Sequence, residues 1–280
     1  MISMLKRVSN RVHLDDLLEQ LDQNPSHQVV IPASWGQGRT VYGGLTAALV
    51  FHRMQQVSTL KHPDEYRPIR YLNLSYIGPI RTDQIMTIEV ELLRSGRSAT
   101  QLSARVLQDN KTCVMAQACF GLQRESVINK KNQTNLGMVM PKKADFIPPI
   151  PKVVPKFLRH MDLKLQQGRW PFMRGDSDEL QGWMRFKQAP QAFNDAHLIA
   201  LTDAWPCTVL QQLKRPAAAS TMNWNLEFCQ NTTPPEPEQW LSYHAQTAHA
   251  ADGYVLGDAE IRNADGELLA LSRQTVGVFG

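Results

Sequence analysis

Asn73-Leu74-Ser75-Tyr76, followed by Pro79 and an alternating stretch from Ile85 to Leu93, returns 152 positions later. There the chain reads Asn225-Leu226-Glu227-Phe228, a turn at Pro234-Pro235-Glu236-Pro237 and a run from Gln239 to Thr247. The earlier copy continues through Arg94-Ser95-Gly96-Arg97-Ser98 into alternating residues around Gln101 to Leu107. A polar turn at Asp109-Asn110-Lys111 then leads to a third run, Thr112 to Leu122. The later copy continues with Tyr254 to Arg262, the turn Asn263-Ala264-Asp265-Gly266, and Glu267 to Phe279. Alternation of period two puts successive side chains on opposite faces of a strand, and Asp-Gly between two such runs is a strong hairpin signal.

One helical segment precedes each strand set. The first is predicted over Gly43 to Gln56, with Leu45, Leu49, Phe51 and Met54 as apolar positions. The second is predicted from about Asp203 to Leu213, with Pro206 in its first turn, where a missing N–H is harmless. Val41-Tyr42-Gly43-Gly44-Leu45 and Leu201-Thr202-Asp203-Ala204-Trp205 then align 160 positions apart. Similar offsets in the same order describe a duplicated α+β unit, one helix plus an antiparallel sheet. The units are expected at 1–125 and 166–280. Residues 126–165, rich in Lys and Asn with Pro148, Pro149, Pro151 and Pro155, read as a linker. The second unit opens with the strand-like Leu180-Gln181-Gly182-Trp183-Met184-Arg185-Phe186.

Composition narrows the function classes. Of 280 residues, 42% are hydrophobic and 20% charged, which is a globular balance. The 30 basic residues exceed the 26 acidic ones without forming a block beyond the pairs Lys130-Lys131 and Lys142-Lys143. So diffuse an excess fits an anionic small ligand and argues against nucleic acid. Cys113, Cys119, Cys207 and Cys229 form no Cys-x-x-Cys pair and have no histidines at zinc spacing, so neither a metal nor a structural disulfide is expected. Met1 to Arg7 lacks a sustained apolar core, and no apolar run reaches membrane-spanning length. A cytoplasmic location without membrane attachment is the expectation.

A helix wrapped by an antiparallel sheet is the hotdog fold, and the sequence resembles the double-hotdog acyl-CoA thioesterases of the thioesterase II type. The resemblance rests on Tyr42-Gly43-Gly44, Leu93-Arg94-Ser95-Gly96-Arg97-Ser98, Asp203, Ser220-Thr221 and Arg273-Gln274 taken in order. It implies two tandem hotdog domains and hydrolysis of acyl-CoA to free acid and CoA, with no cofactor beyond the coenzyme A of the substrate. It also implies self-association into a homo-oligomer, because exposed sheet edges in hotdog units commonly pair. By the same resemblance Asp203, Thr221 and Gln274 jointly position and activate a water. A carboxylate accepts the proton while a hydroxyl and an amide hold the water.

Several of these residues have plainer readings beside the functional one. Asp203, at a predicted helix start, would cap that helix, and the dipole there would favour its ionised form. Thr221 suits a strand by propensity alone, and Ser220 or Asn223 could serve in its place. Gln274 shares a face with Val276 and Val278, where an amide needs a partner. Gly43 and Gly44 could present N–H groups to the thioester oxygen or simply permit close packing. Arg94, Arg97 and Arg105 are candidate contacts for the polyanionic CoA, with solvation as the plain alternative. Trp183, Trp205 and Trp224 could line an acyl channel or fill the core. Gly43 occupies the position matching Asp203, so one working carboxylate per chain is expected. The strand after Thr221 lacks the histidines and the Arg-Pro-Phe run of the best-known members, so acyl preference does not follow from the resemblance. A hotdog hydratase would need an Asp/His pair, for which His197 is the neighbour in sequence. A non-catalytic acyl-ligand binder is the reading from another class.

Overall fold

A computed structural model describes residues 12–128, 130, 137–151, 153–230 and 232–279. The reading of Met1 to Arg7 as no signal peptide lies outside these residues, as does Lys131. The helices are α1 (Leu14–Gln23), α2 (Gly43–Lys61) and α3 (Asp195–Thr202). In the first half the strands are β1 (Gln28–Val30), β2 (Gly36–Gln37), β3 (Thr40–Val41), β4 (Ile69–Tyr76), β5 (Ile85–Ser95), β6 (Ala99–Gln108) and β7 (Lys111–Gly121). Those of the second half are β8 (Met161–Gln167), β9 (Glu179–Phe186), β10 (Ala218–Phe228), β11 (Leu241–Ala251), β12 (Tyr254–Arg262) and β13 (Leu268–Phe279).

Eleven strands form one sheet in the order β1-β5-β6-β7-β4-β10-β13-β12-β11-β9-β8. Its seam is the antiparallel pair β4–β10. Outward from the seam the first half runs β4, β7, β6, β5 and the second runs β10, β13, β12, β11. In both, the strand following the helical region lies at the seam and the last strand lies beside it. The duplication read from sequence is therefore a duplication of topology. At the seam Asn73 stands directly opposite Asn225, the two residues whose 152-residue spacing defined the repeat. Their amides hydrogen-bond to each other, and Asn223 Nδ2 adds bonds to Asn73 Oδ1 at 3.4 Å and to the Leu74 carbonyl at 3.1 Å.

Helix α2 begins at Gly43, as expected, and runs five residues past the predicted Gln56. Every residue from Gly44 to Phe51 is buried. A helix apolar on all sides belongs in a core rather than on a surface, and here the sheet wraps it while α1 and α3 pack against it.

The second helix differs from expectation. It occupies Asp195–Thr202 and ends before Asp203, which is its C-cap rather than its first turn. The start signal lies upstream, where the Asn194 side chain accepts the Ala196 and His197 N–H groups. Pro206 follows the helix instead of opening it. Proline disfavours helical conformation in the residue before it, and the chain resumes as a short 3-10 turn at Thr208–Gln212. The predicted linker is also too long, since β8 begins at Met161 and pairs with β9. No helix among the described residues is long and apolar enough to cross a membrane.

Candidate active site

The end of α3 and the start of α2 meet, and Asp203 is where they touch. Gly44 donates its backbone N–H to Asp203 Oδ2 at 2.8 Å, and Gln274 Nε2 donates to Asp203 Oδ1 at 2.9 Å. Thr221 Oγ1 in turn donates to Gln274 Oε1 at 3.4 Å. The three residues named from the sequence thus form one hydrogen-bonded chain drawn from the end of α3, β13 and β10.

Each is aimed by a specific local feature. Gln274 alternates with buried Ser272 and Val276 on the inner face of β13. Thr221 reaches that face because β10 carries a bulge. Thr221 pairs with Val276 but Asn223 pairs with Thr275, so one extra residue is inserted and the alternation shifts. Of the alternatives to Thr221, Ser220 is exposed and Asn223 is committed to the seam. Asp203 caps a helix, but not the one expected. Its carboxylate satisfies an orphan N–H in the first turn of α2, so the favourable dipole comes from the other repeat.

Burial dominates the electrostatics. Asp203 keeps some solvent access, yet protein surrounds its carboxyl and pushes its pKa up to about 6, against the restraining hydrogen bonds from Gln274 and Gly44. Three phenols, Tyr42, Tyr76 and Tyr243, feel its charge. Burial first and Asp203 second raise their pKa values, so all three stay protonated donors. Tyr42 Oη donates to the Ala200 carbonyl at 2.6 Å, and Tyr76 Oη to the Gly43 carbonyl at 3.0 Å. These bonds fasten the two backbone segments on which Asp203 and Gly44 ride. Tyr42 and Tyr76 stand inside the sequence motifs without a role assigned to them there, and Tyr243 is marked by no motif.

The two glycines answer to contact rather than to turn geometry. A Cβ on Gly43 would lie 3.0 Å from Asp203 Oδ2, and one on Gly44 would lie 2.7 Å from the Tyr42 ring. The Gly44 N–H is taken up by Asp203 instead of standing free for a thioester oxygen. Arg94 and Arg97 stand at the β5–β6 turn, beside the opposite end of α2, and Arg105 pairs with Glu89 at 2.8 Å. His197 is buried and bonds Asp15 at 2.8 Å, so it forms no pair with Asp203. Trp205 stacks between Trp170 and Tyr243, Trp224 is core and bonds Ser272, and Trp183 is half-buried on β9.

Residues 31–121 match the family model of the acyl-CoA thioesterase N-terminal domain, and residues 139–278 match that of the acyl-CoA thioesterase C-terminal domain. The chain belongs to the acyl-CoA thioesterase family. Its two domain models fall one on each side of the β4–β10 seam. A search of curated proteins returned no match. Among solved structures, a conserved protein of unknown function with hot dog fold from Alicyclobacillus acidocaldarius is 23% identical over 90% of this chain and 92% of that one, with a TM-score of 0.74. Acyl-CoA thioesterase II TesB2 from Mycobacterium marinum is 15% identical over 86% and 90%, TM-score 0.67. The tesB protein from Mycobacterium avium subs paratuberculosis is 16% identical over 96% and 100%, TM-score 0.70. At such identities the likeness is one of fold, and that fold is two tandem hotdog units.

Proposed function

We propose that this family member hydrolyses acyl-CoA to free acid and CoA, with Asp203 as general base. The observation that carries the reading is the chain Asp203–Gln274–Thr221, in which a buried carboxylate keeps unshared lone pairs beside an amide and a hydroxyl. Asp203 takes a proton from water as the water oxygen bonds to the thioester carbon. The tetrahedral adduct then collapses, the carbon–sulfur bond breaks, and the departing thiolate recovers the proton from Asp203. Gln274 spends one N–H on Asp203 and retains a second for the water; the Thr221 oxygen accepts from it. Thioester cleavage needs no metal in this scheme because a thiolate leaves readily.

Thiol release measured across acyl-CoAs of graded chain length tests the reading, beside Asp203→Asn, Thr221→Ala and Gln274→Ala. Activity should appear in the wild type and fall about a thousandfold in Asp203→Asn, within the usual range for a lost general base. A wild type inactive on every chain length would leave a binder of acyl ligands. Full activity in Asp203→Asn would overturn the assignment of the base.

A further inference from the structure

Addition of water to a thioester leaves negative charge on the former carbonyl oxygen, which is stabilised by hydrogen-bond donors that are not already spent. Around Asp203 several donors are spent. Gly44 gives its N–H to Asp203 Oδ2, Gln274 gives one N–H to Asp203 Oδ1, and Thr221 gives its hydroxyl to Gln274. Of the three phenols that feel the Asp203 charge, Tyr42 donates to the Ala200 carbonyl and Tyr76 to the Gly43 carbonyl. Tyr243 differs. Its hydroxyl has no hydrogen-bond partner among the described residues, although the residue is only 8% exposed. Buried polar groups normally find partners, and an unspent one costs stability. A ring that merely filled this space would serve as well, or better, as phenylalanine.

The phenol is also held in place. Strands β11 and β9 pair so that Tyr243 stands opposite Gly182. A Cβ on Gly182 would lie 2.2 Å from the Trp205 ring, so the glycine leaves the slot that Trp205 occupies. The Trp205 ring lies nearly parallel to that of Tyr243, at 16° with 6.0 Å between centroids, and Trp170 stacks on it at 5.6 Å. Only Ala204 separates Trp205 from Asp203 in the chain. The stack therefore ties the Tyr243 ring to the backbone segment that carries the carboxylate. The Trp205 indole N–H also lacks an acceptor, but it is sealed from solvent, whereas the Tyr243 hydroxyl is not. Burial first and Asp203 second hold the phenol in its protonated, donating form.

We propose that the Tyr243 hydroxyl donates a hydrogen bond to the thioester carbonyl oxygen and holds the oxyanion that forms when water adds. The inference rests on the hydrolase reading for its substrate and adds to it a catalytic residue from β11. As the water oxygen bonds to the carbonyl carbon, the carbonyl π pair moves onto oxygen and is met by the Tyr243 O–H. As the carbon–sulfur bond breaks, that pair returns and the carbonyl re-forms. The Tyr243 proton stays on Tyr243 throughout, and the proton taken by Asp203 passes to the departing thiolate. Tyr243 thus does a different job from Gln274, which touches the carboxylate.

Tyr243→Phe is the test, because it removes the hydroxyl and keeps the stacked ring. Thiol release should fall about a hundredfold in kcat, a usual cost of one lost oxyanion donor, with KM changing far less. Denaturant stability should be unchanged or higher, since no hydrogen bond is lost. The acid limb of kcat/KM should keep its wild-type midpoint, because Tyr243 makes no hydrogen bond to Asp203. A shifted midpoint would assign Tyr243 to the carboxylate and overturn the proposal. Two non-reacting probes separate it from the hydrolase reading. One is an acyl-CoA analogue in which a methylene replaces the thioester sulfur and the carbonyl remains; the other is the S-alkyl-CoA of the same length, which has no carbonyl. Tyr243→Phe should weaken binding of the ketone about five- to tenfold and leave that of the thioether alone. Equal kcat and equal ketone affinity in wild type and variant overturn the proposal. A wild type that releases no thiol yet binds the ketone through Tyr243 would sink the hydrolase reading and leave the carbonyl contact standing.

Discussion

Asp203 in the second repeat accepts its backbone hydrogen bond from Gly44 in the first, at 2.8 Å, so the candidate base is held by the half of the chain to which it does not belong. The neighbouring Gly43 tests how close that contact is. A methyl group there would sit 3.0 Å from Asp203 Oδ2 and 3.4 Å from the Tyr76 hydroxyl. Gly43→Ala should cost little stability, because alanine is the better helix former in the first turn of α2. It should displace the carboxylate by a few tenths of an ångström and lower kcat/KM about tenfold. Unchanged kinetics in a folded Gly43→Ala protein would argue against a working role for Asp203 in this position.

The raised pKa of Asp203 sets a pH profile. A base must be ionised, so kcat/KM should fall about tenfold per pH unit below about 6 and level off above it. Gln274 donates to the ionised form and holds that pKa down, so Gln274→Ala should move the midpoint above 6 as well as slow the reaction. A pH–rate series on both proteins reads the shift directly, and coincident midpoints would refute the coupling.

The same group should be a stability burden. Its folded pKa of about 6 lies above the ordinary 3.8, so folding favours the protonated acid. Below pH 3.8 the acid is protonated in both states and no penalty exists. The penalty grows as pH rises through that window and is complete above it, at most about 3 kcal/mol for a shift of about two units. Asp203→Asn should therefore raise stability near about pH 8 and lose that advantage near about pH 4. The introduced amide fits if the Gln274 amide turns over, accepting from its new neighbour and donating to Thr221. Denaturant melts at the two pH values measure the difference, and a variant no more stable at the higher pH contradicts the burial argument.

Gly182 supports the site from below. A Cβ there would fall 2.2 Å from the Trp205 ring and 2.9 Å from the Lys164 carbonyl, so one of them must move. Gly182→Ala should destabilise the protein by about 1–3 kcal/mol through overpacking. Because Trp205 lies two residues after Asp203 and stacks on Tyr243, activity should drop with it. Chemical denaturation beside thiol release reports both effects.

Much of the fold is legible in the sequence, for identifiable reasons. Exposed-and-buried alternation and the Asp265-Gly266 turn are local signals, so the strands and the repeat can be read directly. Helix α3 is buried along nearly its whole length and has no polar stripe, so periodicity does not locate it. Pro206 then reads as a start, although Asn194 is the cap. The bulge that turns Thr221 inward depends on the partner strand β13 and leaves no local mark. Resemblance reaches Asp203, Thr221 and Gln274, but not the backbone partner of Asp203. Gly44 lies 159 residues away, and only the fold brings it there. Arg94 and Arg97 sit in a recognisable motif whose place on the far hairpin depends on sheet order.

The asparagine pair at the seam, Asn73 facing Asn225, marks a junction that two separate chains would form only by colliding and would lose on dilution. Joined in one polypeptide, the halves meet at an effective concentration on the order of millimolar, whatever the protein concentration outside. Each half can then rely on the other always being present. Gly43 opens α2 as Asp195 opens α3, so the sequence pairing of Gly43 with Asp203 does not hold in the structure. What the first repeat supplies is Gly44, a permanent clamp for the carboxylate of its neighbour.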